Sequence, residues 1–455
     1  TKASERNIRI FIDLILNHIS QQHYWFQEAI AGNEYYRDFF HWQKEPPEFL
    51  EIVDKADGTY GRYIISGAKK DVYLVFPEHA GEVPHWRKGS DGNWYFHTFY
   101  PQQIDLNWSN PNVFVEMAKV VVHWGKRGVS FRLDAIQHLG KRWHEDYEDS
   151  AEGTIKYVQS LHHVAELKCP DSIFLIEANT HLETLKEYCG TTQHKASDLA
   201  YNFKLNEAIW TALILNDTDF LWETLEEGKD IPDWSQWVTF LRNHDALSLH
   251  YCSEKTKDQL CALLNNRGIM FQGGHSIAGR TASFLENDVE KIIMAHFLLI
   301  SLPGSPSIIY GDEIGKQNDF DYMKEQTWLK KQRLGEEAPI KDDARDINRG
   351  YVTEKQINSE TGKQIYQAIQ AMIQVRSDFP KIALTTPTRI VLDDPTVFAA
   401  RYELENETID VYINLSNEEK EVTLNNPTNK IQSINSATVH DTTITLPPYA
   451  GVWVN

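Results

Sequence analysis

Along roughly the first 385 residues, short and nearly continuous apolar runs alternate with stretches of helical spacing. The run IRIFIDLIL at 8–16 is apolar on both faces, as expected for a strand inside a parallel sheet. Residues 112–124 place apolar side chains at helical spacing, and Asn110-Pro111 supplies a cap and a first-turn proline. VSFRLDAI at 129–136 predicts a second strand, 154–167 a helix, and SIFLIEAN at 172–179 a third strand. A helix over 181–188 stops before Gly190. DLAYNF at 198–203, WVTFLRNHD at 237–245 and SPSIIYGDEIG at 305–315 continue the strand series, and 361–376 reads as a helix ending before Pro380. Strands and helices alternating in one direction predict a parallel α/β architecture, with six candidate strands where a barrel of this kind has eight.

Two stretches depart from that pattern. Residues 20–108 are irregular and rich in Trp, Tyr, Phe and His. A structureless loop of that length is improbable in a compact domain, so an inserted subdomain is expected. From about residue 388 the chain reads as short alternating strands (RIVLDD, VFAARYEL, IDVYINLS, KEVTLNN, TTITLPP). The expected organisation is therefore a (β/α)8-type (TIM) barrel domain over 1–19 and 109–385, a subdomain over 20–108, and an antiparallel β-sandwich over 386–455. The opening residues, TKASERN, look like the end of a helix running into a buried strand. Further residues are expected upstream, and the barrel is expected to be N-terminally incomplete.

Hydrophobic residues make up 41% of the chain and charged residues 24%, which excludes a disordered protein. The net charge of -20 disfavours nucleic acid as a partner, because phosphate binding needs clustered Lys and Arg. It also disfavours an anionic membrane surface. The longest greasy stretch, 292–302, is broken by His296 and ended by Pro303, so it predicts a buried helix rather than a membrane span. Cys169, Cys189, Cys252 and Cys261 form no CxxC and read as free thiols. No signal peptide is legible, and the chain is read as cytoplasmic.

Reactive groups of parallel α/β barrels sit at the C-terminal ends of the strands. Asp13, Asn17 and His18 end the first run. Arg132 and Asp134, two apart, project to one face of the second. Glu177 ends the third, and His244 and Asp245 end the run WVTFLRNHD. Singly, an Asp at such a place reads equally as a helix cap or an ion-pair partner. As a set, carboxylates, an Arg and two His at one rim are what glycosidic cleavage requires.

DLILNH, VSFRLDAIQH, IFLIEAN and FLRNHD, with QQIDLN at 102–107, occur in the order and spacing of the conserved regions of the α-amylase family of glycoside hydrolases (family thirteen), which the chain resembles over nearly its whole length. The resemblance implies a retaining hydrolase or transglucosidase acting on short α-glucosides, with a small carbohydrate as its partner. It implies Asp134 as nucleophile, Glu177 as general acid/base and Asp245 as the third carboxylate in the donor subsite. Arg132 would orient Asp134 and keep it charged, while His18 and His244 would bond sugar hydroxyls. No cofactor is required, although calcium is compatible, with Asn17 as the metal position. Within the family, FLRNHDALSL, LENDVEKI and SLPGSPSIIYGDEIG resemble trehalose synthases, and FYPQQIDLNWSNPNVF resembles amylosucrases as well.

The chain departs from trehalose synthases in carrying DDARDINRG at 342–350, which resembles an amylosucrase segment. Arg349 is thereby a donor-subsite candidate, or else one of a surface ion cluster with Asp342, Asp343, Arg345 and Asp346. The aromatics of 20–108 (Trp25, Tyr35, Phe39 and Trp42 among them) either stack on sugars or fill a small core. The family's first two strands have no counterpart here, which leaves a second reading, a non-catalytic or inactive sugar-binding relative. The presence of Asp134, Glu177 and Asp245 together favours the enzyme.

Overall fold

The computed structural model describes residues 2–55, 57–77, 81–141, 150–334, 341–405 and 407–455. The chain divides into two compact units, Thr1–Tyr201 with Ile231–Gln236, and Asn202–Asp230 with Trp237–Asn455. This division cuts differently from the three expected segments.

In the first unit, strands β1 (Ile10–Ile15), β2 (Val129–Asp134), β3 (Phe174–Ile176) and β4 (Leu199–Tyr201) run parallel, side by side in that order. Ile12 faces Phe131 and Phe131 faces Phe174 across the register. Phe131, Leu133, Phe174 and Ile176 are fully buried, as the apolar runs predicted. The helix Pro111–Gly125 starts where Asn110 accepts from the Asn112 N–H and Pro111 fills the first turn. The helix Ala151–Lys168 begins at Ser150, whose hydroxyl caps the Gly153 N–H. Every expected strand in this unit is real but shorter than its apolar run. The ladder stops where the chain turns out to present polar side chains.

Residues 20–108 are anchored at both ends by one small antiparallel pair, His18–Ser20 with Gln103–Asp105. Between them lie a three-stranded antiparallel sheet (Glu48–Lys55, Gly58–Ile65, Ala68–Tyr73) and a second of shorter strands (Trp42–Gln43, Trp94–Phe96, Trp86–Lys88). Many of the aromatics of this stretch pack against one another. Trp25, Phe39, Phe40, Tyr95 and Phe96 are buried, and Phe26 stacks on Trp42 with ring centroids 5.7 Å apart. Tyr35, by contrast, is exposed.

In the second unit, β5 (Gln236–Phe240, in this unit from Trp237 on) and β6 (Ser305–Ser307) run parallel, Val238 opposite Ser305. β5 ends five residues before the expected strand end at Asp245. Beyond Phe240 the backbone is held by side chains instead of a ladder. The Asn206 amide donates to the carbonyls of Phe240 and Leu241, both at 2.7 Å, and the Trp210 indole donates to the Leu241 carbonyl at 2.7 Å. The expected buried helix is Val289–Ser301, buried on every side from Ile292 onward, His296 included. It packs on the helix Glu360–Asp378.

The C-terminal strands form a five-stranded sheet in the order Thr388–Arg389, Val397–Glu403, Thr408–Asn414, Gly451–Val454, Lys430–Ile434, and a three-stranded one from Lys420–Thr423, Thr443–Leu446 and Thr438–His440. Three of these strands escaped the alternation test. Gly451–Val454 is buried on both faces, Lys430–Ile434 is broken by a register shift, and Thr438–His440 is too short to show a period. Ser301 anchors the five-stranded sheet to the helix Val289–Ser301. Its hydroxyl accepts from the Trp453 indole at 2.7 Å and its carbonyl from the Tyr402 hydroxyl at 2.5 Å. No described helix is long and apolar enough to cross a membrane.

Two outcomes follow from this packing. A Cβ at Gly451 would stand 2.7 Å from the ring of buried Phe297. Gly451→Ala should therefore destabilise the fold by about 1–3 kcal/mol, read as a lower midpoint in urea; an unchanged midpoint would show that the ring yields freely.

The second concerns Glu207, fully buried on the helix Phe203–Leu215 and accepting from the N–H groups of Tyr251 at 3.1 Å and Cys252 at 2.6 Å. Burial pushes its carboxyl up to about 7, while those donors pull it the other way. The folded chain thus keeps a proton that the unfolded chain releases near 4.5. The resulting stabilisation is full below that pH and lost as pH rises through about 7. Relative to wild type, Glu207→Gln should gain stability between pH 5 and 8, about 1 kcal/mol or more, in paired denaturation curves.

Candidate active site

β2 ends in an acid, β3 is followed by one, and β1 carries one within its ladder. Asp13 lies opposite Arg132 in the register, Asp134 is the last residue of β2, and Glu177 follows β3. The backbone of Glu177 extends the ladder. Its N–H donates to the Leu133 carbonyl at 3.0 Å, and its carbonyl accepts from the Ile136 N–H at 3.1 Å. Asp134 and Glu177 therefore stand at the ends of adjacent parallel strands, whose spacing is about 4.8 Å. Immediately after Asp134 the chain breaks away, because Ala135 adopts a left-handed conformation with φ of 47°. For a residue with a Cβ this costs about 1–2 kcal/mol, and it places Asp134 at the very rim.

The Arg132 guanidinium gathers all three acids. One of its terminal nitrogens, Nη1, lies 2.6 Å from Asp134 Oδ1 and 3.1 Å from Asp13 Oδ1, and the other, Nη2, pairs with Glu177 Oε1. Burial works against this cation, but Glu177, Asp134 and Asp13 outweigh it and hold Arg132 above the usual arginine range. Tyr201, at the end of β4, sits in the field of the same groups. Burial pushes its hydroxyl up, with Arg132 pulling it down and Glu177 and Asp13 reinforcing the rise.

His18 is buried beside this cluster, with its ring 5.1 Å from that of Phe99. Burial lowers its pKa despite Asp105 and Asp134, which favour the cation. Asn17, the expected calcium position, is engaged otherwise. Its Oδ1 accepts from the Lys141 ammonium at 2.7 Å.

In the second unit, Asp245 is likewise paired with basic side chains. Its Oδ1 lies 2.8 Å from Arg349 Nη2 and 3.2 Å from Arg345 Nη1, and its Oδ2 lies 3.5 Å from His244 Nε2. Arg345 is itself held by Asp343, with its Nε and Nη2 at 3.0 and 2.8 Å from the two carboxylate oxygens. The Asp245 carbonyl accepts from Arg242 at 2.6 Å and from Asn348 at 3.0 Å. Arg242 is completely enclosed. Burial brings its pKa down to about 10, with Asp312 opposing.

The structure thus brings Asp134, Glu177 and Arg132 into direct contact, with His18 alongside. Within the other unit it joins Asp245, His244 and Arg349. Arg349 meets both Asp245 and Asp346, the latter at 3.4 Å, and Asp343, Arg345 and Asp346 of the expected surface cluster are buried. The sequence marks Asp13 only as a polar residue of the first run, with no assigned role, does not mark Tyr201 or Lys141, and reads Arg345 as a surface ion-pair partner, whereas Arg345 is buried. Tyr201 could have been found as a polar residue ending an apolar run. Nothing local in the sequence distinguishes Lys141 or Arg345.

Residues 1–383 match the family model described as the α-amylase catalytic domain. The chain is 32% identical to a trehalose synthase/amylase of Mycobacterium tuberculosis over 321 residues, 69% of this chain and 49% of that protein. It is 26% identical to α-amylase 3 of Dictyoglomus thermophilum, with 100% of this chain and 77% of that one covered. The chain spans about half the length, or less, of the trehalose synthases it matches. The crystal structure of an α-amylase from H. orenii superposes with a TM-score of 0.69 at 20% identity, over 99% of this chain and 81% of that one, a likeness of fold. From the match of residues 1–383, the chain belongs to the α-amylase family of glycoside hydrolases.

Proposed function

We propose that this chain is a retaining α-glucoside hydrolase or transglucosidase acting on short α-glucosides through a covalent glucosyl-enzyme intermediate. The observation that carries the reading is the single guanidinium of Arg132 pairing with both Asp134 and Glu177. A retaining pair needs its carboxyl groups about 5–5.5 Å apart, close to the spacing of adjacent strands. Inverting enzymes need a wider gap to admit water. The names of the relatives (trehalose synthase, α-amylase and 4-α-glucanotransferase) agree in pointing to α-glucosidic bonds.

In this mechanism Asp134 attacks the anomeric carbon while Glu177 protonates the departing oxygen. Glu177 then draws a proton from water or an acceptor sugar, whose oxygen displaces Asp134. Arg132 remains charged throughout and takes no proton. It fixes the Asp134 carboxylate and offers Glu177 a partner when that group is ionised. Asp245 acts as the third carboxylate in the donor subsite, with Arg349 beside it, and His18 and His244 bond sugar hydroxyls. Residues 1–19 and 109–385 form the catalytic domain in this reading, 20–108 the subdomain and 386–455 the C-terminal β domain.

The test is release of a chromogenic phenol from an aryl α-glucoside. Asp134→Asn should lower turnover by about 1,000-fold or more, since no intermediate can form. Glu177→Gln should retain the first step with an activated phenol, accumulate glucosyl-enzyme, and regain turnover with azide, which needs no general base. Full activity in Asp134→Asn would end the assignment. Saccharide binding without turnover in the wild-type protein would favour a sugar-binding relative instead.

A further inference from the structure

Three oxygens from three distant stretches of the first unit close around one point. They are the side-chain oxygen of Asn17, just past β1, the carboxylate of Asp105, at the end of the inserted subdomain, and the backbone carbonyl of His138, shortly after β2. A carboxylate, an amide oxygen and a peptide carbonyl are the donor set of a hard divalent cation such as calcium. The Lys141 ammonium occupies that point. It lies 2.7 Å from Asn17 Oδ1 and 2.9 Å from Asp105 Oδ2, and donates to the His138 carbonyl. The three donors of an ammonium match three acceptors in number.

We infer that the Lys141 ammonium is a covalently tethered replacement for a divalent cation, and that this cradle takes no calcium. Asp105 is fully buried and the Lys141 side chain nearly so, 0% and 6% exposed, so neither charge is shared with water. The remaining capacity of Asp105 is used by Thr98, whose N–H and hydroxyl donate to it at 3.0 and 2.5 Å. Despite burial, Lys141 and the Thr98 donors hold the Asp105 carboxyl down at about 2, with buried His18 assisting. A divalent ion entering here would face the ammonium with a single carboxylate between them, and the three oxygens named are at most half of the six to eight that calcium takes. Lys141 therefore does the mechanical task of such an ion. It ties the insert, through Asp105, to the strand-end loops that carry His18 and Asp134. This holds whichever reaction the carboxylates perform.

Thermal unfolding of the full chain separates the alternatives. Wild-type protein should melt at the same temperature, within about 1 °C, in EDTA and in millimolar calcium chloride, because a ligand that does not bind cannot shift the midpoint. Lys141→Gln leaves Asp105 buried without its cation. Its melting temperature in EDTA should fall by about 5 °C or more, and calcium should restore part of the loss in a saturable way. Adding Asp105→Asn to that variant should abolish the calcium response. Wild-type protein that loses stability in EDTA and regains it with calcium would overturn the inference. So would a Lys141→Gln variant that melts like wild type or ignores calcium. If Lys141→Gln does not fold, equilibrium dialysis of wild-type protein against calcium decides: no Asp105-dependent uptake supports the inference, and uptake lost in Asp105→Asn overturns it.

Discussion

A guanidinium taken largely out of water among three acids is the interaction on which the carboxylate end of the first unit depends. Asp134 and Glu177 stand at two neighbouring strand ends, with Asp13 inside the strand beside them, and like charges at strand spacing repel strongly where water is excluded. Arg132 makes the assembly possible because its donors form a flat fork that reaches several acceptors at once. A lysine would offer one compact point of charge in place of two separated nitrogens, one for Asp134 and one for Glu177. The parallel register does the rest, since it puts the last residue of β2 and the residue after β3 side by side whatever their side chains are.

The second unit solves the same problem with more cations and less burial. Asp245 meets Arg349, Arg345 and His244 on its carboxylate and Arg242 and Asn348 on its carbonyl. The strand that precedes it ends at Phe240, so its position rests on these side chains rather than on a ladder. A third acid, Asp105, is held at its own point by Lys141 and Thr98. In each place a buried or half-buried carboxylate stands against a cation carried by the chain itself, which is the condition for keeping such a group charged away from water.

Much of this was legible in the residues. The six apolar runs mark strands because a strand covered on both faces has no alternative composition, and Asn110-Pro111 and Ser150 mark helix starts because orphan N–H groups need acceptors. Asp134, Glu177 and Asp245 stood out as a set, because several acids closing successive apolar runs are harder to explain as separate caps or ion pairs than one alone. Strand lengths were overestimated, since the chain beyond a ladder can still be held against the core by side chains, as Leu241 is by Asn206 and Trp210. The strands Gly451–Val454 and Lys430–Ile434 were missed because neither shows two-residue alternation.

What the sequence determined by itself was the local grammar: the order of strands and helices, the caps, and the conserved regions that carry the acids. Only the tertiary structure decided the partners. It set Arg132 between Asp13, Asp134 and Glu177, Arg345 as well as Arg349 on Asp245, and Lys141 where Asn17 had suggested a metal. The reason is that an ion pair depends on distances between atoms far apart in the chain: Lys141 and Asn17, or Arg345 and Asp245, lie about a hundred residues or more from each other. Periodicity and spacing report neighbours along the backbone, whereas a charge responds to whatever the fold brings within a few ångströms.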